Sequence, residues 1–404
     1  MTAAMPQPGT TRLFLLTGLV WQLCWSSYWT LFFLRVVVDV GLDPLQLLLL
    51  GTTKEVTILL VEIPTGLVAD IRSRRLSVIL SFFICGVALI GAGVADTFAL
   101  LVVSQALWAF GTTFRSGAET AWFTDEVGSL AIVDATLPRR GRYEAVGSIV
   151  GVAVMSGVAA LTGLTPALVI VGAILLVWGV VLVARMPETG FVRHEVSAVA
   201  RFRELLGEGF RAARKPGLRV LLVVTVATGF ASEAVDRLSV ARLDQIGLQD
   251  TIDPALLVGG ATVLQSLAVI VVLATIGRAM AGSQLVTVMQ VLNGLTALGV
   301  AILARGSLLA VAMVGMIAAG TARSIARTVT IGWTNHFTER ANRATVHSFV
   351  GQSQSLGEIS GGIILGLVAR QAGIGAALTW SAIIYLAAAG WTGLGRRRWA
   401  TNAG

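Results

Sequence analysis

The sequence predicts an all-α membrane protein of twelve transmembrane helices, arranged as two pseudo-symmetric six-helix bundles. Three observations lead there. Of 404 residues, 55% are apolar and only 13% are charged, with a mean hydropathy of +0.81; a soluble domain carries roughly 25% charged residues. The apolar residues run in blocks of about twenty, the length at which a helix crosses a bilayer. The basic residues between the blocks gather on alternate loops. Other classes fall away. The 45 glycines have no collagen period, and the two cysteines, Cys24 and Cys85, sit in apolar runs and make no disulfide framework. Unbroken apolar runs also exclude a β-barrel, whose strands alternate.

The first six spans are expected near 13–36, 45–69, 76–95, 98–123, 143–163 and 165–185. The second six are expected near 218–241, 255–276, 285–304, 307–331, 346–369 and 374–394. Pro44, Pro166 and Pro254 stand at or just before helix starts, where a missing N–H is harmless. Arg12 precedes an apolar run too long for the core of a signal peptide, so the first span is retained.

Charge sets the orientation. Outside the spans, every Lys and Arg but Arg35, Arg242, Arg305 and Arg370 falls on the side of the N-terminus. Inner loops are the basic ones, so both termini are expected in the cytoplasm of a cell whose inner membrane this chain crosses. This mapping also explains the net charge of +8 and removes nucleic acid as a partner. The expected organisation is a bundle over 1–185, a cytoplasmic linker over 186–217 and a second bundle over 218–404. Within the linker, Val199, Phe202, Leu205, Leu206 and Phe210 recur at helical spacing, which suits an amphipathic helix on the membrane surface or a solvated linker helix.

The two halves echo each other. Gly111-Thr-Thr-Phe-Arg115-Ser116 resembles Gly320-Thr-Ala-Arg323-Ser324. Gly147, Gly151 and Gly157 in the fifth span match Gly357, Gly361 and Gly366 in the eleventh.

After the second span the chain reads Glu62-Ile-Pro-Thr-Gly66-Leu-Val-Ala-Asp70-Ile-Arg72-Ser73-Arg74-Arg75. This resembles the signature loop of the major facilitator superfamily, with Gly66, Asp70, Arg74 and Arg75 in register. Ile71 and Ser73 replace the usual basic residue and glycine, departures expected to loosen the loop. The resemblance spans nearly the whole chain and implies the major facilitator fold and alternating access. It also implies a cytoplasmic latch: Asp70 at a helix N-terminus of the opposite half near Ala344 to Ser348, with Arg74 joining Asp70 to Asp125. Further segments resemble bacterial drug:proton antiporters: Ser116-Gly-Ala-Glu119-Thr-Ala-Trp122, Met186-Pro-Glu188-Thr-Gly190-Phe191, Ser232-Glu233-Ala-Val-Asp236-Arg237 and Arg343-Ala-Thr345. The antiporter signature of the fifth span ends in Gly-Pro, and no proline lies between Gly147 and Gly163.

Charges inside spans are the functional candidates, because each costs about 3 kcal/mol unless it meets a partner or water. Arg115 and Glu119 are four apart, as are Glu233 and Arg237, so each pair can meet within one helix, with Asp236 beside the second pair. Glu119 with Arg115, or else Glu62 or Glu358, is the candidate for carrying a coupling proton. The alternative is static ion pairing. Arg323 and Arg327 share a face with no acid between them and need a carboxylate from elsewhere or an anionic ligand. Trp21, Trp25 and Tyr28 stripe the first span. There they would line the central cavity that the resemblance implies or serve helix packing, while Gln352 and Gln354 would add hydrogen bonds.

The resemblance therefore implies a monomeric multidrug exporter driven by protons, needing no cofactor and meeting a bilayer and a small-molecule substrate. The alternative is a dedicated carrier of a metabolite, lipid or siderophore, including an anionic one; a transporter-like sensor and a membrane enzyme are the remaining readings. His194, His336 and His347 form no metal-spaced or nucleophile-bearing set, so no metal and no enzymatic activity are expected.

Overall fold

The computed structural model describes residues 8–192, 214–251, 253–276, 285–338 and 343–400, together with 203, 207 and 211. The first half contains α1 (Pro8–Val38), α2 (Pro44–Ile71), α3 (Arg74–Val94), α4 (Phe98–Arg115), α5 (Ala118–Val127), α6 (Leu130–Thr162) and α7 (Leu164–Arg185). The second contains α8 (Pro216–Asp244), α9 (Pro254–Ile276), α10 (Leu285–Arg305), α11 (Leu309–Phe337), α12 (Arg343–Ala372) and α13 (Ile374–Ala400). Because α4 and α5 run on as a single 30-residue span, these helices make the twelve expected spans. Nine spans among the described residues are long and apolar enough to cross a membrane. The other three, α1, α2 and α12, are 31, 28 and 30 residues long.

Two expected elements differ. The fourth span breaks at Gly117, whose φ of 74° lies in the left-handed region that glycine enters without penalty. The fifth begins at Leu130 rather than near 143, so Arg139, Arg140 and Arg142 lie on a helix of 33 residues and not in a loop. The amphipathic positions Val199, Phe202, Leu205, Leu206 and Phe210 lie outside the described residues.

The chain divides into two compact units: residues 1–40, 57–201 and 253–263, and residues 41–56, 202–252 and 264–404. Each is built mainly from one half of the sequence, and the division passes through α2 and α9. In the first unit, a Cβ at Gly147 or Gly151 would overlap the backbone of Leu19 or Leu23, so glycine lets α6 lie directly against α1. In the second, a Cβ at Gly357 or Gly361 would overlap Val226 or Phe230, and α12 lies against α8 in the same way. Close approach of small residues is how helices associate where lipid competes equally for apolar side chains. The third expected pair does not match: Gly157 faces open space, whereas Gly366 lies against Leu45.

Two further correspondences reinforce the repeat. Asp43 caps α2 by accepting from the amides of Leu45 and Gln46 at 2.8 and 3.0 Å, and Asp253 caps α9 through Leu256 at 2.9 Å. Each precedes a proline that needs no partner. At the end of α1, Arg35 donates to the carbonyls of Ala92 and Ala95 that finish α3, and pairs with Asp96 at 2.6 Å. At the end of α8, Arg242 donates to Leu303 and Gly306, which finish α10.

Candidate functional site

In the first unit, the buried charge gathers around Glu119, which is 3% exposed. Its carboxylate meets Arg115 at 2.6 Å and Arg140 at 2.9 Å, and Arg140 also holds Glu144 at 2.8 Å. Arg115 lies over the Trp21 ring at 4.2 Å, and Arg140 over Phe14 at 4.1 Å. Cation–π contacts of this kind lower the cost of burying a guanidinium. The expected Arg115–Glu119 pair therefore forms, but across the break at Gly117 rather than along one continuous helix. The second arginine was hidden in the sequence because Arg140 reads as a loop cation. Its one local signal is the four-residue spacing to Glu144.

The aromatic stripe is also engaged inside this unit. Trp21, Trp25 and Tyr28 surround Trp108, with ring centroids at 5.7, 5.5 and 5.1 Å. Gln105 donates to the Tyr28 hydroxyl. Tyr28 is 0% and Trp21 7% exposed, and both rings pack against Trp108, as the helix-packing alternative describes. Trp25 stays half-buried.

The signature loop forms a second cluster in this unit. Arg74 pairs directly with Asp125, donates to the Ala121 carbonyl at 3.1 Å and lies 3.8 Å from Asp70. Ser73 corrects the expectation of a loosened loop. Its backbone is extended, its hydroxyl caps α3 at Leu76, and it donates to Glu188 at 2.6 Å. Glu188 also accepts from the Arg75 amide at 2.9 Å. The segment after α7 is thereby docked: Trp122 donates to the Pro187 carbonyl, and Glu126 accepts from the amides of Thr189 and Gly190. A Cβ at Gly66 would meet nothing, so that position leaves space open.

The second unit is different. Carboxylate oxygens of Glu55, Glu233 and Glu358 all lie within 4.8 Å of one another. Lys54 meets Glu55 at 2.5 Å, and Arg237 holds Glu233 at 3.1 and 3.3 Å. Ser355 donates to Glu55 at 2.8 Å, and Gln354 donates to Glu358 at 2.7 Å. A Cβ at Gly51 would overlap both Glu233 and Arg237, so glycine admits this pair to the face of α2. Glu55 and Glu62, seven residues apart, fall in different units, and Glu62 is half-buried in the first.

Asp236 does not join the Glu233–Arg237 pair. It binds Arg323 with two hydrogen bonds of 2.7 and 2.6 Å, which supplies the carboxylate Arg323 needs. Arg327, one turn further along α11, donates to Ser324 on its own helix at 3.2 Å. It lines a cavity of about 50 Å³ with Arg323, Gln354, Asn293, Ser232 and Tyr385. Gln354 thus borders the cavity and hydrogen-bonds the carboxylate cluster; Gln352, half-buried, is not part of that lining. Asn293 was not legible as a site residue, being a lone amide in an apolar span.

No protein-family model and no curated protein sequence matches the chain. Solved structures do. A crystal structure of the nucleoside transporter NupG superposes with a TM-score of 0.74 at 16% identity, covering 97% of this chain and 98% of that one. A bacterial homologue of the human lysosomal transporter Spinster, inward-facing and unoccupied, gives 0.74 at 14% identity over 97% and 98%. The chain has the major facilitator fold. A POT family transporter in complex with a thioalcohol-conjugated peptide gives 0.70 at 10% identity over 95% and 96%. At these identities the likeness concerns the helical framework.

Proposed function

We propose that the chain is a secondary active transporter of a bacterial inner membrane, exporting small amphipathic compounds in exchange for protons by alternating access. The observation that carries the reading is the cluster of Glu55, Glu233 and Glu358, with Lys54 and Arg237 as the bases paired to it. Two buried carboxylates, Glu55 and Glu233, and the half-buried Glu358 beside two cations leave one negative charge in excess, which a single proton neutralises. Excess charge is costly at membrane depth, so a proton taken up from one side and released to the other is a natural cargo for this site. Glu358 is the assigned carrier, because its partner is the neutral Gln354 amide, whereas Glu55 and Glu233 each face a cation. Glu119, held by two arginines, is assigned a structural role. The cluster of Asp70, Arg74 and Asp125 is proposed as a cytoplasmic latch, with Gly66 and Arg75 shaping its loop. Both termini are assigned to the cytoplasm and the working unit to a monomer.

A second reading, a dedicated carrier of an anionic metabolite, lipid or siderophore, is favoured by Arg327 and its cavity. Purified protein in proteoliposomes with an imposed pH gradient discriminates the two, using ethidium and carboxyfluorescein as cationic and anionic probes. Gradient-dependent movement of either, abolished by a protonophore, supports proton-coupled transport. Movement unchanged by the protonophore, or no movement across a wider panel, contradicts it.

A further inference from the structure

We infer that the cavity of the second unit is a subsite for an anionic head group, a carboxylate or a phosphate, with Arg327 as its counter-charge and Asn293 as its second donor. The inference rests on the transport reading and names the chemistry of the transported compound. It follows from which donors around the cavity are already occupied. Ser232 and Thr228 donate to carbonyls of their own helix, and Tyr385 donates to the Thr228 carbonyl at 3.3 Å. Gln354 donates to Glu358, and Arg323 is held on both arms by Asp236. Two groups remain. Arg327 is exposed near the middle of α11 and makes one bond, to the Ser324 hydroxyl. Asn293 is 2% exposed, and its amide nitrogen has no hydrogen-bond partner. A buried polar group without a partner is costly, and an arginine at membrane depth cannot face hydrocarbon cheaply. Both are satisfied by one acceptor-rich ligand. A guanidinium fork matches carboxylate and phosphate geometry. The volume of about 50 Å³ suits a head group rather than a whole drug molecule.

The test is ligand-induced thermal stabilisation of the purified full chain in neutral detergent. The probes share one aromatic ring: benzoate, phenyl phosphate, benzyltrimethylammonium and benzyl alcohol. Benzoate or phenyl phosphate is expected to raise Tm saturably while the other two do not, and the stronger of the two anions identifies carboxylate or phosphate as the natural group. Arg327→Gln is expected to weaken anion binding about tenfold or more, Arg327→Lys less, and Asn293→Ala several-fold. Should Arg327→Gln not fold, the lysine variant and Asn293→Ala carry the comparison. Equal stabilisation by all four probes, no stabilisation by either anion, or unaltered anion binding in Arg327→Lys and Asn293→Ala would overturn the assignment. No gradient is involved, so a failure of proton coupling leaves this result standing, and a loss of anion preference leaves proton coupling standing.

Discussion

The helix pairs α1/α6 and α8/α12 are built alike and carry unlike chemistry. Both are brought together by two glycines one turn apart that press on a facing backbone. In both units, an arginine at the C-terminal end of the first helix of the pair binds the carbonyls that finish a neighbour, Arg35 at α3 and Arg242 at α10. Yet the charge that α6 presents is closed in by its partners: Arg140 holds Glu119 of α5, which also meets Arg115, and each guanidinium lies on an aromatic ring. The charge that α12 presents is open, because Glu358 meets other carboxylates and a neutral amide. The repeated frame shares its packing while its buried charges differ. The balanced cluster suits a strut. The unbalanced one suits a site whose occupancy changes.

The largest expected effect comes from breaking the balanced side. Arg140→Ala leaves Glu119 with one arginine and Glu144 with none, and removal of one partner from a buried ion pair costs about 3–5 kcal/mol. Thermal unfolding of the purified variant should register a loss of this size, and a loss below about 1 kcal/mol would mean the cluster is no strut. Next in size are the glycine seams. Gly151→Val and Gly361→Val should each cost about 1–3 kcal/mol through overpacking, at corresponding places in the two units. Strongly unequal losses would break the structural side of the comparison. The smallest is Ser73→Ala, which removes the cap of α3 and a bond to Glu188, for about 1 kcal/mol. Limited proteolysis after α7 should quicken in that variant, because Glu188 anchors the segment.

The twelve spans were legible because a bilayer demands long apolar runs, and Asp43-Pro44 and Asp253-Pro254 announce two helix starts. The early start of α6 was not, since Arg139, Arg140 and Arg142 look the same on a helix and in a basic loop. Pairings within four residues were readable, as Glu233 with Arg237 illustrates. Those set by topology were not: Asp236 reaches Arg323 across 87 positions, and Ser355 reaches Glu55 across 300. The site therefore showed in the sequence as a set of costly charges, without its wiring. The wiring is what separates Glu358 from Glu119 and Arg327 from Arg323.

The division of labour between the units is tested most directly by Glu119→Gln and Glu358→Gln side by side in proteoliposomes, with gradient-driven transport and substrate exchange without a gradient measured for each. Glu358→Gln is expected to abolish gradient-driven transport while retaining exchange, and Glu119→Gln to keep both in the fraction that folds. Undiminished gradient-driven transport in Glu358→Gln, or its selective loss in Glu119→Gln, would contradict the account.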